Sequence, residues 1–376
     1  MIVILVNPRR NLKLPKLNFN DEQFTYPLLE AARRRGVEVA YSTKRQKVVS
    51  NADLYVTAHP YYAYGWKERV DKTVILYHGL SDSERGFYSN VRSFFSSRIN
   101  IRTRLWRGWL VPGEYFAEGY PQCLRKRVKV VGFPKLDLYF SKNSKEIMEN
   151  VRRRCNLKLP FTNTVIYAPT LWPSLGPRVA RDAARIGKRL IYASQLNRFN
   201  LIVKTHPNIG LNGYGLELLK LMEKHRELPG INCLIPPGKT CRGTGWVDNI
   251  VPLFWFADVL VSDCSSTLRE FMITNKPSIQ ILSPSKLYKP QPGMYHTELP
   301  QLAEVLSKVF DRIDSPDEER TRCVKHYMYK ADGCSGDRAI DALLEFMGAS
   351  KIRNLSYRLT SRAIECVRSI CDFYRT

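Results

Sequence analysis

The 376-residue chain predicts an α/β protein of two units, each a parallel β-sheet wrapped by helices. Three observations carry that expectation. Short, apolar, β-branched runs alternate with segments of helical periodicity along the chain. Polar residues recur directly after those runs, at His78, Thr170, His206 and Asp263 to Ser266, which is the edge where open parallel sheets bind ligands. At 44% hydrophobic and 25% charged residues, the composition is that of a globular protein, and the length suits two domains.

Residues 1–6 read as the first strand. The apolar run stops at Pro8-Arg9-Arg10 and has neither a basic lead nor a small-residue cleavage site, which favours a buried strand over a signal peptide. A helix is predicted over 21–35, with Phe24, Leu28, Leu29 and Ala32 on one face and Gly36 as its stop. Strands follow at 37–41, 54–58 and 73–77, the last running into His78-Gly79. Residues 80–104 set Arg85, Arg92, Arg98, Arg102 and Arg104 among Phe87, Tyr88, Phe94 and Phe95, and part of this stretch is expected to be helical. Two further strands, at 105–111 and 128–131, end in Pro112-Gly113 and Gly132-Phe133-Pro134.

A charged helix at 145–155 and the linker Leu159-Pro160-Phe161 lead into the second unit. Its strands fall at 164–167, 200–204 and 231–235, with a basic helix at 178–198 and another at 217–226. The expected domains are residues 1–150, residues 160–345, and a basic amphipathic helix at 346–376. That last helix places Ile352, Leu355, Leu359, Ala363, Val367 and Ile370 at helical spacing opposite a basic face; it packs on the first domain or rests on an anionic membrane.

Residues 257–281 form the centre of the chain. Val259 to Val261 fits a buried strand, Asp263 to Ser266 turns, Thr267 to Thr274 is helical, and Pro277 to Leu282 returns as a strand. Ser265 or Ser266 suits the N-cap, and free N–H groups at a helix start favour an anion such as phosphate. The other reading of the same stretch is an ordinary βαβ unit with a serine cap.

Net charge is +24, and the first 156 residues hold 29 Lys and Arg against 14 Asp and Glu. Such a field draws anionic partners, namely nucleic acid, anionic lipid or a phosphate-bearing substrate. The cations are scattered and no nucleic-acid-binding signature is present, so nucleic acid is set aside. The nine cysteines form no CxxC pair and no zinc spacing; reduced thiols and a cytoplasmic location are expected, with Cys264 a small buried thiol.

No Walker lysine loop, GxGxxG, HExxH or GxSxG occurs. Ser265-Ser266 lacks nucleophile-elbow glycines, which points to phosphate binding rather than covalent catalysis. Asp248, Asp258 and Asp263 are too spread for a metal site, so a metal-independent transfer without a cofactor is the reading. His78 and His206 could each move a proton or hold a strand end by hydrogen bonding. Lys204 could add phosphate affinity. His59 is read as structural, and His225, His296 and His326 are given no role.

Taken in order, Tyr77-His78-Gly79, Gly132-Phe133-Pro134-Lys135-Leu136-Asp137, Ile166-Tyr167-Ala168-Pro169-Thr170, Val203-Lys204-Thr205-His206-Pro207, Asp258 to Ser266 and Lys276-Pro277 resemble the CDP-glycerol glycerophosphotransferase family. The resemblance covers about residues 73–345. It implies a GT-B architecture, two facing Rossmann-like domains with an interdomain cleft. It further implies His78 as base, His206 on the transferring phosphate, and Ser265 and Ser266 on the donor phosphates. Glu270 stands where the family has an acidic residue four beyond the second serine, and Asp248 matches an acidic loop residue.

There are departures from the family pattern. Cys264 replaces a tyrosine, and the arginine expected soon after His-Pro is absent, with Arg242 or Arg269 as substitutes.

The expected activity is transfer of a phosphopolyol, glycerol phosphate first, from a CDP-activated donor to an acceptor hydroxyl. Thr170, Lys204, Asp263, Ser265, Ser266 and Glu270 are the expected phosphate and nucleotide contacts. Expected partners are the CDP-activated polyol, an anionic and lipid-linked acceptor, and an anionic membrane surface on the inner face of the cell membrane. Alternatives are a GT-B nucleotide-sugar glycosyltransferase, a non-oxidative sugar-nucleotide epimerase, or a non-catalytic basic binding protein for nucleic acid or anionic glycan.

Overall fold

A computed structural model describes residues 2–5, 22–42, 52–58, 71–80, 106–170, 177–207, 209–210, 213, 215–239, 241–282, 289–311 and 316–348. The helical expectation within 80–104, His59 and the terminal helix from 349 onward lie outside the described residues. Two compact units account for the rest.

The first unit holds β1 (Ile2–Leu5), α1 (Glu22–Arg34), β2 (Val39–Ser42), β3 (Leu54–Thr57), β4 (Thr73–Leu76), β5 (Gly108–Val111), α2 (Glu114–Glu118), α3 (Gln122–Arg125) and β6 (Val128–Val130). Its six strands are parallel, in the order β2-β1-β3-β4-β5-β6. β3, β4 and β5 are buried along their whole length, as unbroken apolar runs in a helix-covered sheet require.

The second unit begins with α4 (Ser144–Arg154) and β7 (Thr164–Tyr167), then α5 (Pro177–Asn197), β8 (Asn200–Lys204), α6 (Leu216–His225) and β9 (Ile231–Leu234). It continues through β10 (Val259–Ser262), α7 (Thr267–Phe271), β11 (Ser278–Ile281), β12 (Tyr295–Thr297) and α8 (Leu302–Phe310). Its sheet is also parallel, in the order β12-β11-β10-β7-β8-β9. The core between β7, β8, β10 and helices α5, α6 and α8 is aliphatic, built on Val165, Leu201, Val261, Leu190, Leu218 and Leu306.

The chain leaves the second unit within α9 (Asp317–Met328) and ends its described part with α10 (Ser335–Phe346) in the first. Residues 324–345, placed in the second domain by the sequence reading, therefore belong to the first unit. The physical reason is specific. Arg34 and Arg35 at the end of α1 pair with Asp337, and Arg35 Nε reaches Asp341 Oδ1 at 2.8 Å. Asp137 accepts the N–H groups of Ser335 at 3.0 Å and Gly336 at 2.6 Å, which caps α10 from the other side.

Gly132 has φ +88°, and a Cβ there would stand 2.5 Å from Ser335 Oγ, so this turn needs glycine. The Gly132-to-Asp137 motif is thus a clamp for α10.

Candidate functional site

In the second sheet the strand order reverses direction between β7 and β10: β8 and β9 lie to one side, β11 and β12 to the other. The carboxyl ends of strands on either side of such a reversal leave a crevice that receives ligands. Thr170 follows β7 and the Asp263–Ser266 turn follows β10, so sequence positions nearly a hundred residues apart meet at one edge.

Asp263 joins them. Its buried Oδ1 accepts the N–H of Thr170 at 3.0 Å and of Cys264 at 2.7 Å. Burial pushes its carboxyl above the ordinary range, and those hydrogen bonds pull it partly back. The next strand end is bound in by Ser262 Oγ, which donates to the carbonyl of Ala168. Asp263 therefore acts through the backbone it holds, with its carboxylate already committed.

Between Val259 and Met272, Cys264, Ser265 and Ser266 alone reach the surface, each half-buried. Cys264, expected to be a buried thiol, is one of these. The capping is done by Ser265, whose Oγ accepts the Thr267 N–H at 3.3 Å and donates to Thr267 Oγ1 at 3.0 Å. Ser266 occupies the N-cap position with helical dihedrals, φ −56° and ψ −21°, which turn its hydroxyl away from the helix N–H groups. It donates instead to Glu270 Oε1 at 3.3 Å, and Glu270 is buried. Asn275, at φ 53°, ends the helical segment before Lys276-Pro277, as the sequence predicted.

β8 neighbours β7 and delivers Lys204, Thr205 and His206 at the same edge. Lys204 is buried; its Nζ lies 3.5 Å from the centroid of the Trp246 ring and donates to the Thr205 carbonyl at 3.1 Å. Trp246 Nε1 in turn donates to Asp248 Oδ1 at 2.8 Å. His206 is half-buried, and burial together with the nearby ammonium groups of Lys204 and Lys239 pushes its pKa down to about 3. Burial also lowers Lys239, on the loop after β9. The imidazole is therefore neutral at pH 7 and offers one N–H, while a phosphate among these groups would raise its pKa again.

His78 sits in the first unit, directly after β4. It is the one partly exposed residue between Thr73 and Leu80, and Tyr77 beside it is anchored to Tyr120 by a 3.1 Å hydroxyl contact. The predicted site residues thus fall in two places. Thr170, Lys204, Asp263, Ser265, Ser266, Glu270 and His206 gather at the edge of the second sheet, and His78 stands at the edge of the first.

Of the residues offered as substitutes for the missing arginine, Arg269 is buried in α7, and Arg242 is exposed, with its backbone N–H on Glu223. Asp258 accepts the Thr164 N–H at 2.8 Å and starts the β7–β10 pairing. His225 and His296 each bond a backbone carbonyl, and His326 packs on Tyr115 and Tyr327.

Sequence reasoning missed Lys239 and Trp246. The strand-end rule applied to β9 would have found Lys239; Trp246 has no local signal, since only the fold brings it to Lys204. A cavity of about 410 Å³ in the first unit lies at the opposite, amino-terminal ends of β4, β5 and β6, lined by Arg107, Lys126, Arg127, Lys129, Asp71 and Glu345. Among the described residues, no three His, Cys, Asp or Glu side chains gather as a metal site would need.

A family model described as CDP-glycerol:poly(glycerophosphate) glycerophosphotransferase matches residues 30–345. The wall teichoic acid polymerase TagF has a similar structure, with a TM-score of 0.62 and 15% identity over 93% of this chain and 90% of that one. UDP-GlcNAc 2-epimerase from Neisseria meningitidis, bound to UDP-GlcNAc, gives 0.55 and 11% over 92% and 99%. The S. aureus MnaA–UDP structure gives 0.52 and 12% over 92% and 96%. No curated protein sequence matches. The GT-B class expected from the sequence holds.

Proposed function

The chain belongs to the CDP-glycerol:poly(glycerophosphate) glycerophosphotransferase family, and from that premise we propose that it moves glycerol phosphate from CDP-glycerol to a hydroxyl of an anionic polyol-phosphate acceptor. The observation that supports this reading most is the solvent window Cys264–Ser266 at the order reversal of the second sheet, on the same edge that carries His206 two strands away.

The acceptor oxygen attacks the phosphorus that carries glycerol. A P–O bond to the acceptor forms, the bond to the bridging oxygen breaks, and CMP leaves. His78 takes the acceptor's proton as general base. The N–H of His206 meets the charge that builds on the transferring phosphoryl group, and the hydroxyls of Ser265 and Ser266, rotated from Thr267 and Glu270, donate to the diphosphate. Asp263 is a positioning residue: it fixes the turn that presents those serines. Thr170 and Glu270 shape the same turn, and Lys204 contributes positive potential from behind Trp246. The reading uses no metal or cofactor.

The basic first unit suits a phosphate-rich acceptor, and we place the reaction in the cytoplasm at the inner face of the membrane, with the acceptor lipid-linked. Among the described residues no helix is long and apolar enough to cross a membrane.

A screen with CDP-glycerol, CDP-ribitol, UDP-sugars and CMP-sugars tests the reading, followed as CMP release from the cytidine donors and as UDP release or epimerised sugar from the UDP-sugars. Turnover of a CDP-polyol with loss of about 100-fold or more in His78→Ala and His206→Ala is expected. Turnover of a UDP-sugar alone would overturn it in favour of the epimerase-like alternative.

A further inference from the structure

Helix α5 has a solvent face that the transfer chemistry does not use. Its buried side is Ala183, Ile186, Leu190, Ile191 and Ala193, packed into the second unit's core. At 100° per residue, Arg181, Arg185, Lys188, Arg189, Tyr192 and Leu196 fall within one stripe on the opposite side. All six are exposed.

Tyr192 and Leu196 are each 66% exposed, far beyond the other exposed large apolar side chains among the described residues, Phe140 at 38% and Tyr329 at 37%. One turn apart, they form an apolar end to a stripe whose first part is cationic. Asp182, 3.8 Å from Arg185, is the acid beside this face.

Two large apolar side chains one turn apart beyond four cations make an amphipathic stripe. A bilayer interface suits it: the cations meet anionic headgroups, while tyrosine and leucine enter the headgroup–acyl boundary. A second copy of the chain would set these cations against their own kind. The chain's C-terminal segment, with Lys351, Arg353, Arg358, Arg362, Arg368 and Arg375, has the same sign and is repelled likewise. We propose that the exposed face of α5 is a docking surface for an anionic membrane, with Arg181, Arg185, Lys188 and Arg189 on the headgroups and Tyr192 and Leu196 inserted.

The proposal is independent of the donor and the transfer step, because it is read without either. Full-length protein is sedimented with vesicles of phosphatidylcholine alone and of phosphatidylcholine with phosphatidylglycerol. Wild type is expected to bind the anionic vesicles and to release in high salt. Tyr192→Ser with Leu196→Ser should weaken that binding about tenfold or more, as loss of two inserted side chains requires. Arg185→Glu with Lys188→Glu and Arg189→Glu should weaken it about tenfold or more. CMP release with a soluble acceptor should stay at the wild-type rate in both variants, which also shows that they fold.

Equal binding to neutral vesicles, no binding of wild type, or unchanged binding by both variants would each overturn the proposal; the last would transfer the role to another segment. So would an oligomer in solution that the Tyr192 and Leu196 substitutions dissolve, or RNA binding lost with the three charge reversals while vesicle binding is unaffected.

Discussion

Asp137 in the first unit and Asp263 in the second are the same device put to different ends. Asp263 is buried directly after β10 and Asp137 is half-buried in the 3-10 turn Pro134–Phe140 that follows β6; each is pushed above the ordinary range by burial, and each accepts two backbone N–H groups. Asp137 spends both oxygens on the start of α10, a helix about 200 residues away in sequence, and closes the first unit. Asp263 spends one oxygen on two turns and leaves a window of three half-exposed residues beside it. A carboxylate that holds backbone N–H groups is thus not by itself a site residue; what distinguishes the second case is the half-exposed hydroxyls that stand beside it at the sheet edge.

The sharpest way to break this comparison is Asp137→Ala. It strands the Ser335 and Gly336 N–H groups and should cost about 2–4 kcal/mol of stability by urea denaturation, with turnover per folded molecule kept. A loss of turnover without a loss of stability would make Asp137 a site residue after all. Gly132→Ala acts on the same clamp. The left-handed φ and the approach to Ser335 Oγ should cost about 1–3 kcal/mol, and Ser335→Ala should recover part of it. On the other side, Lys204→Met removes a buried ammonium from the face of Trp246. It should cost about 1–2 kcal/mol and change the tryptophan emission.

On pH dependence the two regions oppose each other. Asp137 has its folded pKa raised to about 6, so the stability it lends is present at low pH and lost as pH rises from about 4 through 6. His206 has its folded pKa lowered to about 3, so its contribution is present above about 6.5 and lost as pH falls toward 3. Each slope is on the order of 1 kcal/mol per pH unit. Asp137→Asn should therefore steepen the loss of stability on acidification from pH 6 to 4, and His206→Gln should flatten it. Parallel curves in both variants would contradict these environments.

Much of this fold was legible in the residues. β7 and β8 fall where their apolar runs end, and the segment from Val259 to Ile281 forms the predicted strand, turn, helix and strand. Strand periodicity is a local signal, and buried parallel strands print it clearly. The return of residues 324–345 to the first unit was not legible. It depends on Asp137, Asp337 and Asp341 meeting partners hundreds of positions away, and no local pattern records a long-range cap. β12 was missed because Tyr295–Thr297 is three residues long and only Thr297 is buried. At the candidate site, the strand-end rule placed His206 and the serine pair after β8 and β10, where the structure has them. It did not divide labour between Ser265 and Ser266, because that depends on one backbone dihedral pair.

Calorimetric titration of CDP-glycerol into wild type, the Ser265→Ala/Ser266→Ala double variant and Asp137→Asn tests the central claim most directly. Donor phosphate held at the Cys264–Ser266 window predicts binding weakened about tenfold or more in the serine variant and unchanged in Asp137→Asn. Equal affinity in wild type and the serine variant would contradict it.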